Sequence, residues 1–347
     1  MLELLQLKLE STLVPLDGSF KSNSIIRSFG LYLNLMIEYE LLEKIEKKLG
    51  SVATFKTLES VEFKNKTYPI VSLEMGKAEK APVFGLFSGV HGIERIGTHL
   101  VLNYLNSFAE QLQWDETLHE MLKKIRIVSI PIINPVGLDL KKRSNGNDVD
   151  LMRDAPQSAD IKTYIPVSGQ SLSPKLPWYR GLKDDMEPET KAVIKFVNSH
   201  LSTSDFMMSL DVHSGFGMVD RLWYPYGYSK KKIKDFGLIQ KFEELLNNNI
   251  SYHVYKLEQQ SDSYVIHGDL WDYLYDQNLQ ASSNIYIPWT LELGSWVWVK
   301  KNPRQALSFS GFFNPILPHR YKRTMRRHRS LLDFMIRSTL NHSKWAP

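Results

Sequence analysis

Alternation between strand-like and helix-like segments is the feature of this sequence that most restricts its fold. Short runs rich in Val, Ile, Leu and Phe recur along the chain and have the composition of buried β-strands. They are TYPIVSLEM, APVFGLF, IRIVSIPII, DFMMSLDV and IYIPWTLEL. Apolar residues at helical spacing occupy the segments 31–49, 96–113, 187–197, 233–247 and 321–340. The pattern predicts an α/β fold with a mixed, largely parallel central sheet and helices on both faces.

Four polar residues stand at the ends of these strand-like runs. His91 follows APVFGLF, Asn134 follows IRIVSIPII, His213 follows FMMSLDV, and Glu292 lies near the end of IYIPWTLEL. In sheets of this class, ligands bind beyond the carboxyl ends of the parallel strands. We therefore expect these residues to gather at one edge of the sheet, beneath an irregular loop region at 139–182.

Composition narrows the kind of site that this edge can hold. The 347 residues contain no cysteine, which excludes disulfides, a thiol nucleophile and thiolate metal ligands. Any metal ion must therefore be bound by His, Asp or Glu side chains. The net charge of +5 comes from 43 Lys and Arg against 38 Asp and Glu, and this excess is too small to imply nucleic-acid or membrane binding.

Further expectations concern the two ends of the chain. The first residues, MLELLQLKLESTL, lack the pattern of a signal peptide, so we expect a cytoplasmic protein. We expect residues 1–50 to form a partly helical N-terminal segment, packed on a catalytic domain that spans 51–347. The run HRYKRTMRRHR at 319–329 could bind nucleic acid or acidic lipid, but on an amphipathic helix such a run is usually a solvated face.

An H-x-x-E pair, His91 and Glu94, lies at the end of a strand-like run, where both side chains can reach one ion. Catalytic zinc commonly takes three protein ligands from His and carboxylate groups and leaves a position open for water. His213, which lies 122 residues further on (213 − 91), fits as the third ligand. Glu292 is flanked by apolar residues, and a carboxylate at such a place fits the base that takes a proton from water.

The order of these motifs resembles the zinc metallocarboxypeptidases of the carboxypeptidase A type. The pair at 91–94 is followed by an N-P-x-G turn at 134–137, an arginine, a D-x-x-R at 150–153, a late His and a later Glu. Several short motifs in the family's order are specific, whereas a lone H-x-x-E would be weak evidence. The resemblance implies a zinc peptidase that hydrolyses C-terminal peptide bonds through a metal-activated water.

The resemblance also implies a role for each matching residue at the metal. His91, Glu94 and His213 would bind a single zinc ion. Glu292 would be the general base for the water and later the acid for the leaving amine. Asp150 would hold the zinc-binding His91 from behind.

Two arginines would act on the substrate. Arg143 matches the arginine that polarises the scissile carbonyl, although Lys141 and Lys142 stand beside it. Arg153 matches the arginine that receives the terminal carboxylate of the peptide.

Two departures from the family pattern concern the binding of the substrate. The family usually has Asn before the last arginine, and this chain has Met152, so an amide donor is missing. The family also has a tyrosine that closes over the substrate. The segment HGDLWDYLYDQ offers Tyr273 and Tyr275, and we favour Tyr275.

Two other functions share parts of this pattern. A zinc amidase of the aspartoacylase or succinylglutamate desuccinylase type would act on small N-acyl amino acids with the same ligand set. Those proteins tend to place the catalytic Glu soon after the third ligand and to add a small β domain. Here Glu292 comes 79 residues after His213 (292 − 213), and the stretch after it is short. A non-catalytic binding protein is opposed by the complete ligand set. The oligomeric state stays open.

Overall fold

A single mixed sheet forms the centre of the protein in a computed structural model, which describes residues 36–76, 79–163, 166–182, 185–282 and 284–346. Its strands are β1 Ala53–Phe63, β2 Lys66–Met75, β3 Val83–Ser88, β4 Arg126–Ile130, β5 Phe206–Ser214, β6 Arg221–Tyr224, β7 Lys256–Gln259 and β8 Ile285–Leu293. Their order in the sheet is β1-β2-β4-β3-β5-β8-β6-β7. The neighbours β4, β3, β5 and β8 are parallel, whereas β2 and β6 join them in antiparallel pairs. The predicted mixed, largely parallel sheet is confirmed.

Helices cover both faces of this sheet. They are α1 Ile37–Leu49, α2 Arg95–Gln111, α3 Glu116–Leu122, α4 Pro135–Leu140, α5 Pro188–Leu201, α6 Phe236–Asn249, α7 Gln260–Ser263, α8 Leu270–Ala281, α9 Trp296–Lys301 and α10 Pro318–Leu340. One apolar core joins the sheet to α1, α2, α6 and α10, and the core on the other face joins it to α5 and α8. Because both faces are covered, the central strands β3 and β5 are buried along their whole length and β8 is buried after its first residue, as their continuous apolar runs predicted.

Three strands went unpredicted, β1, β6 and β7. The residues of β1 are mostly exposed or half-buried, because it is an edge strand, and it lacks the apolar run by which the central strands were recognised. The strands β6 and β7 have four residues each, too few to show a period. Edge position and short length therefore removed the pattern on which the prediction depended.

The described part of the N-terminal segment is the helix α1. It packs against α2 through Tyr39, Leu42 and Ile45, and it ends at Gly50, whose φ of 50° suits a glycine. Residues 1–35 lie outside the described residues, so the boundary between an N-terminal segment and a catalytic domain stays a prediction. Within the part of the chain that the structure describes, no helix is long and apolar enough to cross a membrane.

Candidate active site

Three side chains converge where the parallel strands β3 and β5 end. His91 lies in the turn after β3, Glu94 directly precedes α2, and His213 lies near the end of β5. His91 Nδ1 is 2.9 Å from Glu94 Oε1, and His213 Nδ1 is 3.1 Å from Glu94 Oε2 and 3.1 Å from His91 Nδ1. All three residues are buried, and their donor atoms all lie within 4.8 Å of one another. The structure thus brings the three predicted ligands together.

Close backbone packing explains the glycine in this turn. A Cβ on Gly92 would collide with the backbone of Gly137, so the turn after β3 rests directly on α4. Asn134 holds the facing turn, since its Oδ1 accepts from Gly137 N at 2.8 Å and its Nδ2 donates to Val90 O at 3.1 Å. The N-P-x-G sequence therefore shapes the backbone on which His91 is carried.

A carboxylate behind each histidine sets its orientation. His91 Nε2 lies 2.9 Å from Asp150 Oδ1, and His213 Nε2 lies 2.6 Å from Asp211 Oδ2. These contacts assign the ring proton to Nε2, which leaves the lone pair of each Nδ1 aimed at the centre. Sequence reasoning missed Asp211. It stands two residues before His213 in D-V-H, and in a strand that spacing puts both side chains on one face.

The donor chemistry of this cluster fits zinc. The two Nδ1 atoms and the Glu94 carboxylate lie about 3 Å from one another, so their lone pairs repel unless a proton or a metal cation lies between them. Burial opposes the ionisation of Glu94, yet the charges and hydrogen bonds of His91 and His213 hold the pKa of its carboxyl well below the usual range. Burial likewise opposes protonation of His213, but Asp211 and Glu94 raise the pKa of the imidazole. The cluster stabilises positive charge, as a zinc site of two His and one Glu requires.

Arg143 lies between the two acidic groups of this centre. Its Nε donates to Asp150 Oδ2 at 2.9 Å, and one terminal nitrogen donates to Glu94 Oε1 at 2.9 Å. Burial lowers the pKa of the guanidinium, but the Asp150 and Glu94 charges outweigh it and raise the pKa above its ordinary value. Burial also opposes ionisation of Asp150, and Arg143 and His91 nevertheless hold the pKa of that carboxyl well below its usual range. The structure therefore brings both Arg143 and Asp150 to the centre.

Glu292 stands beside His213 on the neighbouring strand. The two residues are register partners in the parallel pair of β5 and β8, so their side chains leave the sheet on the same face. The carboxylate is buried, and its Oε1 accepts from Phe216 N at 2.9 Å. Burial, together with the negative charge of Glu94, raises the pKa of Glu292 to about 8. A carboxyl group of this pKa is able to accept and return a proton near neutral pH.

Arg153 is a buried cation held by backbone oxygens. Its Nε and one terminal nitrogen donate to Val167 O at 3.2 and 3.1 Å, and the other terminal nitrogen donates to Met152 O at 3.1 Å. Among the described residues no carboxylate forms an ion pair with it. The side chain of Met152 is itself buried in the core on the α5 and α8 face. A buried guanidinium that has remaining donors and no acidic partner is suited to an anionic ligand.

Tyr275, which the sequence favoured as the tyrosine that closes over the substrate, packs in the apolar core instead. Tyr275 is fully buried in α8, and its hydroxyl donates to Asp235 Oδ2 at 2.8 Å, whereas the Tyr273 hydroxyl accepts from Gln277. Tyr273 is half-buried beside Gln277 on the same helix. Among the described residues, Tyr264 in the loop before α8 lies close enough to the centre for the charges of Glu292 and Arg143 to act on it.

Tyr264 is half-buried, and its ring lies 5.3 Å from that of Phe216. Burial raises the pKa of its hydroxyl, and the charges of Arg153, Glu292 and Arg143 act on the same group. The sequence carried no signal that separated Tyr264 from the two tyrosines of the helix.

Comparison with known proteins places this geometry in a family. The profile of the family described as zinc carboxypeptidase matches residues 39–297. Carboxypeptidase SOL1 of Arabidopsis thaliana is 24% identical over 328 residues, which are 82% of this chain and 59% of that protein. Mouse carboxypeptidase A4 is 26% identical over 211 residues, which are 57% of this chain and 49% of that protein. The chain thus spans about half to three fifths of the length of these curated relatives.

Solved structures support the same fold. The crystal structure of carboxypeptidase A from Helicoverpa armigera superposes with a TM-score of 0.63 at 20% identity, covering 93% of this chain and 78% of that one. Since the relatives named here are carboxypeptidases, the amidase alternative is not favoured. The chain belongs to the zinc carboxypeptidase family.

Proposed function

We propose that this protein is a zinc-dependent carboxypeptidase that removes the C-terminal residue of peptides, with one zinc ion held by His91, Glu94 and His213. The observation that carries the proposal is the register of β5 and β8, which sets Glu292 directly beside the metal ligand His213. Hydrolysis needs a set of metal ligands and a carboxylate of raised pKa beside them, and here both lie at the carboxyl ends of adjacent strands.

Each side chain has a distinct task in this proposal. Zinc, when bound, supplies Lewis acidity at the scissile carbonyl. Glu292 takes a proton from the attacking water and returns it to the leaving amine, a role for which a pKa of about 8 is suited. Arg143 offers positive charge where the carbonyl oxygen becomes negative, and Asp150 holds both Arg143 and His91 in place.

Selectivity for a chain end rests on Arg153 and Tyr264. The Arg153 guanidinium is buried without a carboxylate partner in the described part of the chain, so a free C-terminal carboxylate could supply one. Tyr264 is close enough to Arg153 for electrostatic interaction, and its hydroxyl is a suitable second donor to the same group. We propose Tyr264, rather than Tyr275, as the tyrosine that covers the substrate.

Metal analysis and paired substrates test this function. Protein purified without chelator should contain one zinc per chain by elemental analysis, and it should hydrolyse blocked dipeptides in preference to N-acyl amino acids. The Arg153→Ala variant should lower kcat/KM on free-acid peptides by roughly 10–100-fold, as expected for a lost hydrogen bond to a charged group. It should leave the low rate on the matched amides unchanged. Hydrolysis of N-acyl amino acids alone would support the amidase alternative instead.

A further inference from the structure

The positive charge of this protein is concentrated in one segment near the active site. Residues 294–332 contain nine Lys and Arg and no Asp or Glu. The rest of the chain has 34 basic residues (43 − 9) against 38 acidic ones, so it is net negative. The whole excess of +5 therefore comes from the 39 residues that begin two positions after Glu292.

The start of this segment lies at the opening of the active site. Trp296, the first residue of α9, donates from Nε1 to Gly215 O at 2.8 Å, and its ring lies 5.6 Å from that of Phe216. The backbone of Phe216 in turn donates to Glu292. Trp296 is 45% exposed. Its ring therefore meets solvent and also contacts Phe216, the residue whose backbone N–H donates to Glu292.

Exposed cations follow Trp296 directly. Lys300 is four residues further along α9 and so shares a helix face with Trp296, about one turn away. Lys300, Lys301 and Arg304 are all exposed, and none forms an ion pair with another described residue. The last helix adds more positive charge at the same place, because Arg320 in its first turn donates to Trp298 O at 2.7 Å.

Exposed aromatic side chains accompany these cations. Phe313 packs on Gly215 beside the metal ligands, and the ring of Phe309 lies 5.4 Å from Phe313 while remaining 70% exposed. We call Trp296, Lys300, Lys301, Arg304 and Phe309 the basic rim. A surface of this kind offers apolar contact to an extended chain and attraction to its negative charges.

We propose that the basic rim binds an acidic stretch of polypeptide upstream of the residue that is removed, so that the preferred substrates are acidic chain ends. The inference rests on the proposed carboxypeptidase function, because a peptide that occupies the buried centre must leave it across its rim. Charge complementarity selects Asp and Glu side chains for this part of the substrate. The position beside Glu292 favours a substrate over a membrane or a nucleic acid.

Matched peptides test the proposal. Two decapeptides share the last three residues and carry either four Glu or four Lys upstream, and a blocked dipeptide with the same C-terminus serves as the short substrate. Each of three exposed charge contacts should raise kcat/KM about two- to threefold. Together they predict roughly tenfold higher kcat/KM for the Glu peptide at low salt. The difference should lie in KM, because these contacts are the same in ground and transition states. It should largely vanish at about 1 M salt, where the Debye length is about 3 Å.

Charge reversal identifies the residues responsible. Lys300→Glu, Lys301→Glu and Arg304→Glu together should reverse the preference and leave the blocked dipeptide unaffected. The control reverses Lys80, Lys123 and Lys124, three exposed cations at the opposite, amino-terminal edge of β3 and β4, and should keep the preference.

Three outcomes would overturn the proposal. They are equal kcat/KM for both decapeptides, a preference that survives the rim reversal, and rim-dependent binding to phosphatidylserine vesicles without any peptide preference. If the blocked dipeptide itself is not cleaved, it is the carboxypeptidase function that fails, and the rim proposal falls with it.

Discussion

The side-chain amide of Asn145 lies between two carboxylates and holds the loop that carries Arg143 and Asp150. We call this arrangement of Asn145, Glu187 and Glu189 the clamp. Asn145 is buried, and its Oδ1 accepts from Asn147 N and Val149 N, both at 3.0 Å. Its Nδ2 donates to Glu187 Oε2 at 2.8 Å and lies 3.2 Å from the nearer carboxylate oxygen of Glu189, at the start of α5. The clamp thus ties the loop to α5, with Arg143 two residues before the amide and Asp150 five residues after it.

Replacing Asn145 with Asp tests this clamp with almost no change in shape. The new side chain can still accept from the loop N–H groups, but toward Glu187 and Glu189 it presents a third carboxylate instead of a donor. The change removes hydrogen bonds to charged groups, which are worth about 1.5–3 kcal/mol each, and adds repulsion between like charges. A shift of about 1 Å in Arg143 would lower kcat by up to roughly 10²-fold.

The loss of unfolding free energy in Asn145→Asp should depend on pH, because Glu189 titrates near neutrality. Burial raises its pKa to about 7, the charges of Glu187 and Asp154 add to the rise, and the Asn145 hydrogen bond opposes it. An acid whose pKa is higher in the folded state stabilises the fold fully below its unfolded value of 4.5, and this stabilisation is lost as pH rises through about 7. The difference between the unfolded pKa of 4.5 and the folded pKa of about 7 corresponds to about 3 kcal/mol of unfolding free energy.

The Asn145→Asp variant should therefore be most impaired at pH 8 and recover toward pH 5.5, where a protonated Glu189 can donate to the new carboxylate. Adding Glu189→Gln supplies a permanent N–H donor, so the double variant should regain stability at pH 8. Urea unfolding and kcat are measured at both pH values. The control is Asn147→Asp, which loses a hydrogen bond to Glu187 but makes no contact with Glu189. Because this contact is exposed to solvent, the control should cost under about 1 kcal/mol and show no recovery that depends on Glu189. Equal stability of Asn145→Asp and the parent at pH 8, or failure of the double variant to recover, would refute the clamp.

Three further predictions concern the centre itself. Glu292→Gln should retain zinc by elemental analysis but lose roughly 10²–10⁴-fold in kcat, and a parent-like rate would show that the base lies elsewhere. Asp211→Asn should weaken zinc binding about 10–100-fold in competition with a chelator, because the His213 ring loses its ionised acceptor, and unchanged affinity would contradict that role. Tyr264→Phe should raise KM for free-acid peptides. Tyr275→Phe should instead lower the unfolding free energy by about 1 kcal/mol through its lost bond to Asp235 and leave KM unchanged, and the reverse result would restore Tyr275 to the site.

The metal centre was the part of this protein most accessible to sequence reasoning. His91, Glu94, His213 and Glu292 stand at the ends of apolar runs, and the strands that those runs form do lie side by side and parallel. In a parallel sheet, a strand end determines where a residue lies without knowledge of the rest of the fold. Local pattern was therefore sufficient to select these four residues from a chain that has 10 His and 38 acidic residues.

Groups that meet through distant packing could be read only from the tertiary structure. Tyr264, Tyr273 and Tyr275 lie within twelve residues of sequence. Only the direction of the loop and of α8 separates the one near Arg153 from the two whose hydroxyls bond to Gln277 and Asp235. Asn145 meets Glu189 across 44 residues. The sequence by itself determined the five strands that have continuous apolar runs, and the three residues His91, Glu94 and His213 that meet where such strands end, because these depend on periodicity and chain direction. The tertiary structure decided which remaining polar groups complete the centre, because their partners come from elements whose relative placement no local pattern encodes.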